Sequence, residues 1–445
     1  MERLILDQLK TWKNKKNRKP LLVTGVRQCG KTYTIKEFGE NEFDDMAYFN
    51  FEGNEGIASV FDYDFDTDRI IDELGSIVAE KKIIPGRTLV FFDEIQDCPR
   101  AIQSLKYFCE NMPKLHLIAA GSLLGVSIRK EGVSFPVGKI DRMEMYPMSF
   151  EEFVMADGGR KYINGIKNLT LDREIPALYT APLEKYLKNY YIIGGMPEAV
   201  QTWADSHNFK EAEEVQDRIL KDYADDFSKH TTADTATKIR LIWDAIPSQI
   251  ARDNNKFIFS HVKSGARAKD LEDALEWLQS AGIAGKLFMV PKPQIPLKSE
   301  VNNTYFKVYL SDIGLLRRKS KVNYRTILEG DSAYTRFKGA LAENYVYTQL
   351  RCMGIESFFW RTKADAEIDF ITDHEGVLLP IEVKSADNTK AKSLHLFINR
   401  YRPKMAIKTS LKNVGDNMDG GTRVWSIPLY VLFRLKEYLF NEMGW

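Results

Sequence analysis

A glycine-rich stretch near the start of the chain has the residue types that bind phosphate. Gly25 and Gly30 enclose four residues and precede Lys31 and Thr32, which gives the pattern G-x-x-x-x-G-K-T. Glycines allow the backbone to turn its amides toward phosphate oxygens, the lysine reaches the β- and γ-phosphates, and the threonine hydroxyl can bind Mg²⁺. The sequence therefore predicts a loop that binds the phosphates of ATP. We assign to it Gly25, Val26, Arg27, Gln28, Cys29, Gly30, Lys31, Thr32 and Tyr33.

The residues on either side of this loop supply the context that the motif needs. A buried-strand pattern over 21–24 runs into the loop, and helical spacing follows it over 33–38. A helix that begins at the loop directs its first N–H groups at the same anion. We therefore expect a strand–loop–helix unit of an α/β nucleotide-binding domain.

Polar residues follow two further apolar strands. The strand 88–92 ends in Asp93 and Glu94, and the strand 115–120 is followed by Gly121 and Ser122. Downstream of a phosphate loop, Asp93 is expected to hold Mg²⁺ and Glu94 to orient and polarise the attacking water. Ser122 stands where a sensor of the γ-phosphate lies, although a simple Gly-Ser turn also explains this pair.

A second group of charged residues lies near the C-terminus. Asp369 belongs to a run over 367–371 in which acidic and apolar residues alternate, as they do in a half-buried strand. Glu382 and Lys384 share a face at the end of a second strand, 377–383, because side chains alternate with period two. Asp369 and Glu382 can converge on one Mg²⁺ or Mn²⁺, with Lys384 near an attacking water or a phosphate.

Several segments together resemble the AAA+ ATPases of bacteria and archaea that carry a C-terminal domain of unknown function with a nuclease-like fold. The resemblance covers nearly the whole chain, and the GGMPEAV and EIDF/EVKS segments are the most specific to that family. The segments are RQCGKT (27–32), FFDEIQ (91–96), AAGS (119–122), YPMSFEEF (146–153), YIIGGMPEAV (191–200), FKVYLSDIGLL (306–316) and EIDFI with PIEVKSA (367–386).

The resemblance implies several site residues. Gly195 and Pro197 resemble the Gly-x-Pro signature of a lid that reports the nucleotide state, and a helix-capping turn explains them equally well. AAA+ ATPases commonly form homo-oligomeric rings, in which an arginine of one subunit completes the neighbouring site. The family has Gly-Arg before the YP-SF motif and this chain has Gly-Lys, so Arg142 and Arg129 are the candidates for that arginine.

The C-terminal residues resemble the PD-(D/E)xK nuclease motif, in which Glu343 on a preceding helix is the fourth member and a further metal ligand. Three interpretations stay open: an active nuclease, a remnant that binds metal or nucleic acid, and a structural role. From Lys384 to Lys412 the sequence has eight basic residues against one acid, which suits DNA as a partner and equally a solvated helix face. They are Lys384, Lys390, Lys392, Arg400, Arg402, Lys404, Lys408 and Lys412.

The predicted fold class is α/β, with four regions. We expect a P-loop AAA+ core over 1–155, a helical lid over 156–235, a winged-helix domain over 236–325 and a restriction-endonuclease-like α/β domain over 326–445. The third helix of the winged-helix region carries four acids after a short basic cluster. Acidic helices fit a phosphate backbone poorly, so a structural or protein-contacting wing is favoured over a reader of DNA sequence.

Composition excludes other classes of protein. The 445 residues contain 63 basic and 62 acidic side chains, which excludes a globally basic nucleic-acid coat and an acidic disordered chain. Four scattered cysteines argue against a disulfide scaffold, and no run of eighteen apolar residues occurs. We expect a cytoplasmic ATPase with no membrane partner. ATP hydrolysis by this protein would drive either a nucleic-acid-directed machine or a protein-directed switch, in which the nuclease-like domain is a non-catalytic binding module.

Overall fold

The computed structural model describes residues 1–127, 135–229, 231–252, 256–330, 335–363, 366–374, 376–384 and 392–442. These residues divide into two compact units. The first contains residues 2–147 and 276–283, and the second contains residues 148–275 and 284–445. In the described part, no helix is both long enough and apolar enough to cross a membrane.

The first unit is an α/β layer structure around one parallel sheet. Its five strands follow the order β2-β3-β4-β1-β5, and every neighbouring pair is parallel. All residues of β3 and β4 are buried, as expected for strands covered on both faces. The elements are α1 Ile5–Lys13, β1 Leu21–Thr24, α2 Lys31–Glu42, β2 Asp45–Asn50, α3 Glu55–Ser59, α4 Thr67–Glu73, β3 Thr88–Asp93, α5 Pro99–Asn111, β4 His116–Gly121, α6 Leu124–Ser127 and β5 Asp141–Glu144.

The second unit begins with helices. Long amphipathic helices bury one apolar stripe each, as Tyr223 and Phe227 of the longest one do against Trp243. The helices are α7 Phe150–Ala156, α8 Arg160–Lys167, α9 Ala177–Ile193, α10 Pro197–Ser206, α11 Phe209–Lys229, α12 Ala233–Ile250 and α13 Ala268–Ser280, the last of which ends in the first unit.

The rest of the second unit contains further helices and a mixed sheet of eight strands. The strands follow the order β12-β13-β11-β10-β9-β8-β6-β7. The β6–β7 hairpin is antiparallel, and Met289 of β6 pairs with Phe359 of β8. The hairpin expected for a winged helix thus continues the C-terminal sheet. The elements are β6 Ala284–Met289, β7 Asn302–Leu310, α14 Ile313–Lys319, α15 Tyr324–Glu329, α16 Thr335–Cys352, β8 Phe358–Arg361, β9 Glu367–His374, β10 Val377–Val383, α17 Lys392–Tyr401, β11 Met405–Ser410, β12 Gly415–Asp419, β13 Thr422–Pro428 and α18 Leu435–Glu442.

The α/β class and the parallel sheet around a phosphate loop are confirmed. The region 236–325 contains α12, a 3₁₀ turn at Phe259–His261, α13 and the β6–β7 hairpin, where the sequence suggested three helices before a hairpin. The four domain boundaries and the winged-helix and nuclease-like designations stay predictions.

One buried junction of the second unit joins three of the motif segments. The Gly195 N–H donates to Asp312 Oδ2 (2.6 Å), and its carbonyl accepts from the Met148 N–H (2.6 Å). Asp312 also caps α14 by accepting from the Leu315 N–H (2.8 Å). Burial raises the pKa of Asp312 to about 6, although these backbone donors lower it. A Cβ at position 195 would lie 2.0 Å from the Met148 oxygen, so the junction requires glycine there.

Candidate active sites

The phosphate loop follows β1, which lies between β4 and β5 in the sheet. Gly25 has φ of 151° and Gly30 has φ of 95°, which are angles that glycine adopts at little cost. Gly30 is also the residue that caps the N-terminus of α2. A Cβ on Gly25 would lie 2.1 Å from the Met145 carbonyl oxygen. The two glycines therefore serve the close backbone approach and the tight turn that the loop needs.

Lys31 lies inside this loop. Its ammonium group donates to the carbonyl oxygens of Gly25 (2.8 Å) and Val26 (3.0 Å), and only 6% of the residue is exposed. Carbonyl oxygens are weaker partners than phosphate oxygens for an ammonium ion. The lysine is thus held in the loop by bonds that an anionic phosphate can replace.

Thr32 and Asp93 meet at the carboxyl edge of the sheet. The Thr32 hydroxyl donates to Asp93 Oδ2 (2.8 Å), and the hydroxyl of Tyr48 donates to the same oxygen (3.1 Å). Burial raises the pKa of Asp93, the charge of Glu94 adds to that rise, and the two hydroxyl donors oppose it. A hydroxyl and a carboxylate are the hard oxygen ligands that Mg²⁺ prefers, so this pair fits the ion expected with ATP.

Glu94 stands next to this pair in a left-handed backbone conformation, with φ of 48°. Its Oε2 accepts from Gln96 Nε2 (2.7 Å) and, at greater length, from the Ser122 hydroxyl (3.4 Å). Left-handed angles cost energy in a residue other than glycine, and such strain is concentrated at functional sites. The sequence indicated Glu94 and Ser122, and the structure brings them together.

Besides Tyr48, two side chains of this site were missed by sequence reasoning. Gln96 was quoted only as part of a motif, and Arg3 was not considered. The guanidinium of Arg3 is buried and donates to the carbonyl oxygens of Cys29 (2.8 Å) and Tyr146 (2.7 Å). It thereby ties the phosphate loop to the segment after β5. A lone arginine near the N-terminus offers no pattern that could have indicated this contact.

The structure describes most of the other predicted site residues. Arg142 is exposed on β5, where its guanidinium stacks 4.7 Å from the centre of the Phe135 ring, and Arg129 lies outside the described residues. Tyr33 is 61% exposed. Gly195 and Pro197 belong to the second unit, where Pro197 is the first residue of α10. Their roles in nucleotide binding stay predictions.

The C-terminal residues converge at the ends of β9 and β10. Asp369 Oδ2 accepts from the Val383 N–H (2.7 Å), and Lys384 Nζ donates to Glu382 Oε1 (2.6 Å). Glu382 is 3% exposed, and its buried Oε2 has no hydrogen-bond partner among the residues that the structure describes. A buried carboxylate oxygen with no donor is costly, and a cation is one partner that would remove the cost.

The fourth predicted member, Glu343 on α16, joins this cluster through residues that the sequence did not indicate. The fully buried Lys307 of β7 places Nζ 2.6 Å from Glu367 Oε1 and 3.3 Å from Glu343 Oε2. The Tyr309 hydroxyl donates to Glu343 Oε2 (2.7 Å). A lysine within the otherwise apolar end of β7 was the available signal, because a charge at such a position needs a partner.

The charged groups of this cluster shift one another's pKa values. Burial raises the pKa of Asp369 well above its usual value, and the carboxylates of Glu382 and Glu343 add to the rise. Burial alone would lower the pKa of Lys307, but Glu343 and the other nearby acids raise it well above its usual value. Lys307 therefore acts as an internal counter-ion. Among the described residues, no three His, Cys, Asp or Glu side chains form a preorganised metal site.

Part of the basic run lies beside these acids. Lys408 of β11 pairs in register with Glu382. Burial lowers the pKa of Lys408, and the charges of Lys412 and Lys384 lower it further. Such a group favours an anionic ligand. Lys390 lies outside the described residues.

Three family models match separate parts of the chain. Residues 17–154 match an AAA domain, residues 184–326 match a domain of unknown function (DUF8612), and residues 338–430 match another domain of unknown function (DUF4143). A search of curated proteins gave no match. The first unit thus holds an AAA domain, the class of ATPase domain to which its phosphate loop and Asp93–Glu94 pair also point.

Several solved structures are similar at low identity. The Walker-type ATPase PABY2304 of Pyrococcus abyssi is 14% identical over 71% of this chain and 94% of its own, with a TM-score of 0.44. The ORC2 protein of Aeropyrum pernix is 14% identical over 75% and 96%, with a TM-score of 0.34. The ORC1 protein of Aeropyrum pernix, solved in complex with DNA, is 10% identical over 73% and 92%, with a TM-score of 0.28. Scores this low do not establish a common overall fold.

The bond from Gln96 to Glu94 generates a prediction. Replacing Gln96 with Leu keeps the approximate volume but removes the donor that holds the carboxylate. A hydrogen bond to a charged group contributes about 1.5–3 kcal/mol. We expect kcat for ATP to fall about tenfold or more, with KM within twofold, in a steady-state assay. Gln103→Leu, on helix α5, is the matched control and should leave both constants unchanged. Equal turnover in the two variants would show that Gln96 does not position Glu94.

The buried Lys307 generates a second prediction. Lys307→Met retains the length of the side chain but leaves the acids without their cation, which costs about 3–5 kcal/mol. Carboxylates with raised pKa values ionise as the pH rises, so the loss of stability should be larger at pH 7.5 than at pH 5. Urea unfolding at both pH values measures it.

Lys298→Met is the control for this experiment, because that lysine is exposed and forms an ion pair with the exposed Glu356. Its unfolding midpoint should stay within error of the parent protein at both pH values. A Lys307→Met protein whose stability matches that control, or is equally reduced at both pH values, would contradict the role of Lys307 as a counter-ion.

Proposed function

We propose that this protein is a Mg²⁺-dependent AAA+ ATPase in which ATP binding and hydrolysis drive a conformational change that acts on nucleic acid through the C-terminal nuclease-like domain. The observation that carries the ATPase part is the contact between Thr32 and Asp93, with Glu94 held beside it by Gln96. The match of residues 17–154 to an AAA domain supports the same conclusion.

Each residue of the site has a role in the proposed reaction. Lys31 neutralises phosphate charge, and Thr32 and Asp93 would hold Mg²⁺, which supplies charge neutralisation on the β- and γ-phosphates when it is bound. Glu94 accepts a proton from the attacking water and aligns it with the γ-phosphate. The Ser122 hydroxyl lies 3.4 Å from Glu94 and would link that carboxylate to the γ-phosphate, which Ser122 is proposed to sense.

The proposed site extends beyond these side chains. Arg142 is the candidate for an arginine supplied to a neighbouring copy in a homo-oligomer, and its exposure on β5 is compatible with that role. Gly195 and Pro197 would transmit the nucleotide state through a lid, since Gly195 is hydrogen-bonded to the cap of α14.

The nucleic-acid part of the proposal is supported by the C-terminal cluster. Asp369 and Glu382 lie on adjacent strands, and Glu382 Oε2, which has no hydrogen-bond partner in the described part of the chain, is a ready ligand for Mg²⁺ or Mn²⁺. Glu343 would complete the metal ligands, and Lys384 with its neighbouring lysines would contact a DNA phosphate.

A specific observation favours a second function. The fully buried Lys307 already bonds to Glu367 and Glu343, so part of the charge that a metal would neutralise is neutralised by the protein itself. In that case the C-terminal domain only binds its partner, and the chain is an ATP-driven switch or protein-remodelling assembly.

One turnover experiment tests both alternatives. ATP hydrolysis is measured with Mg²⁺ or Mn²⁺, without DNA and with single- or double-stranded DNA, and the DNA is then run on a gel. Hydrolysis that DNA stimulates, together with metal-dependent cleavage lost in Asp369→Asn, would support the nucleic-acid machine. ATP hydrolysis at the same rate with and without DNA, with the DNA left intact, would support the switch.

The ATPase assignment has its own variants in the same assay. Lys31→Ala should lose ATP binding, and Glu94→Gln should bind ATP while kcat falls about 100-fold or more. Lys82→Ala, in an exposed loop, is the control. Normal turnover by Glu94→Gln would refute the role assigned to Glu94.

A further inference from the structure

A cavity of about 810 Å³ lies among the helices of the second unit, apart from the C-terminal carboxylate cluster. The middle of α9 forms half of its wall, residues in or next to α7, α8, α10, α11 and α15 form the rest, and four of the lining residues are Phe, Trp or Tyr. Cavities of roughly 300–1,000 Å³ are the size that encloses small-molecule ligands. The cavity is therefore large enough for a nucleotide.

The aromatic wall offers flat surfaces. Trp203 and Phe209 are stacked with ring centres 4.4 Å apart and planes 22° apart. Tyr324 stacks on Phe209 (5.1 Å, 25°) and holds that ring in place. Tyr162 and Tyr186, 6.1 Å apart, also line the cavity. Aromatic rings at a cavity wall are surfaces on which planar heterocycles stack.

A buried carboxylate faces the same cavity. The Asp157 side chain is only 5% exposed, and its Oδ2 accepts from the Trp203 indole N–H (3.0 Å). Among the described residues its other oxygen, Oδ1, is buried without a hydrogen bond, and it lies 3.5 Å from His207 Nδ1. Burial raises the pKa of Asp157, whereas the Trp203 bond and the charges of His207 and Lys185 lower it. Oδ1 is thus an acceptor that lacks an N–H donor.

The rim of the cavity is basic. Lys185 and Lys188 of α9 line it and are exposed, and Lys188 is close to the Leu328 carbonyl oxygen (3.4 Å). A purely cationic ligand would be repelled by these ammonium groups. A ligand that combines a planar ring, an N–H donor and an anionic group matches all three features of the wall.

We propose that this cavity binds a nucleotide, separately from the phosphate loop of the first unit. The base stacks on the aromatic wall and donates an N–H to Asp157 Oδ1, and the phosphate lies between Lys185 and Lys188. Guanine fits best, because its N1–H and N2–H groups lie on one edge and both can donate to Oδ1, whereas Oδ2 already accepts from Trp203. The ligand is either a free guanine nucleotide or a guanine of single-stranded nucleic acid.

The test uses the full chain carrying Lys31→Ala, which removes binding at the phosphate loop. Isothermal titration measures GMP, AMP and guanosine. We expect saturable binding of GMP, about tenfold tighter than that of AMP. Lys185→Ala with Lys188→Ala should weaken GMP but not guanosine, and because both lysines are exposed this variant should fold. No saturable binding of GMP or of a guanine-containing oligonucleotide would overturn the proposal.

Asp157→Asn is the sharper variant, since it keeps an oxygen for Trp203 but removes the anionic acceptor. GMP affinity should fall about tenfold and the preference over AMP should disappear, whereas Asp205→Asn, exposed on α10, should change neither. Unchanged selectivity in Asp157→Asn would contradict the assigned contact. A single-stranded oligonucleotide that ends in guanine is also tested as a competitor of GMP. If it binds more tightly than GMP, nucleic acid is the source of the guanine. If it fails to compete, the ligand is the free nucleotide.

Discussion

The hydrogen bond from the Thr32 hydroxyl to Asp93 is the interaction on which the first unit's chemistry depends. Thr32 lies in the first turn of α2, and Asp93 is the last residue of β3, 61 positions later in the chain. They meet because β1 and β3 are parallel strands of one sheet, with β4 between them, and their carboxyl ends lie at the same edge. The buried strands thus serve to bring one hydroxyl and one carboxylate within bonding distance.

The second unit is governed by a different constraint, the burial of charge. Four acids lie near one another around β9 and β10, and burial raises the pKa of at least Asp369 and Glu382 among them. Lys307 arrives from β7, which is possible because the β6–β7 hairpin continues the C-terminal sheet. The cluster can therefore exist without a metal ion, yet Glu382 Oε2 keeps the capacity to bind one. Metal binding at Glu382 would make the cluster a nuclease site, whereas neutralisation by Lys307 alone would make the domain a binding module.

Local sequence patterns were sufficient for the elements that carry the ATP site. The strand 21–24, the loop after it and the strand that ends at Asp93 were all predicted, because buried strands and glycine loops have strong local signatures. The bonds of Tyr48 and Arg3 were not predicted. Each joins residues far apart in the chain, and a single tyrosine or arginine has no periodic pattern that marks its partner.

The same limit applies to the second unit. Alternation predicted the strand of Asp369, but Glu343 pairs with Lys307, 36 positions earlier, in a strand that the sequence placed in another domain. The Gly195–Asp312 junction shows the reverse case. The glycines were noticed as a motif, and only the structure shows the backbone contacts that require them.

A double-mutant cycle on Thr32→Val and Asp93→Asn tests the central claim most directly, with ATP affinity measured in Mg²⁺ and in EDTA. The account predicts that each single change lowers Mg²⁺·ATP affinity about tenfold or more, that the double variant loses much less than the product of the two, and that affinity in EDTA hardly changes. Independent effects, or equal losses with and without Mg²⁺, would show that these residues do not form one magnesium–nucleotide site.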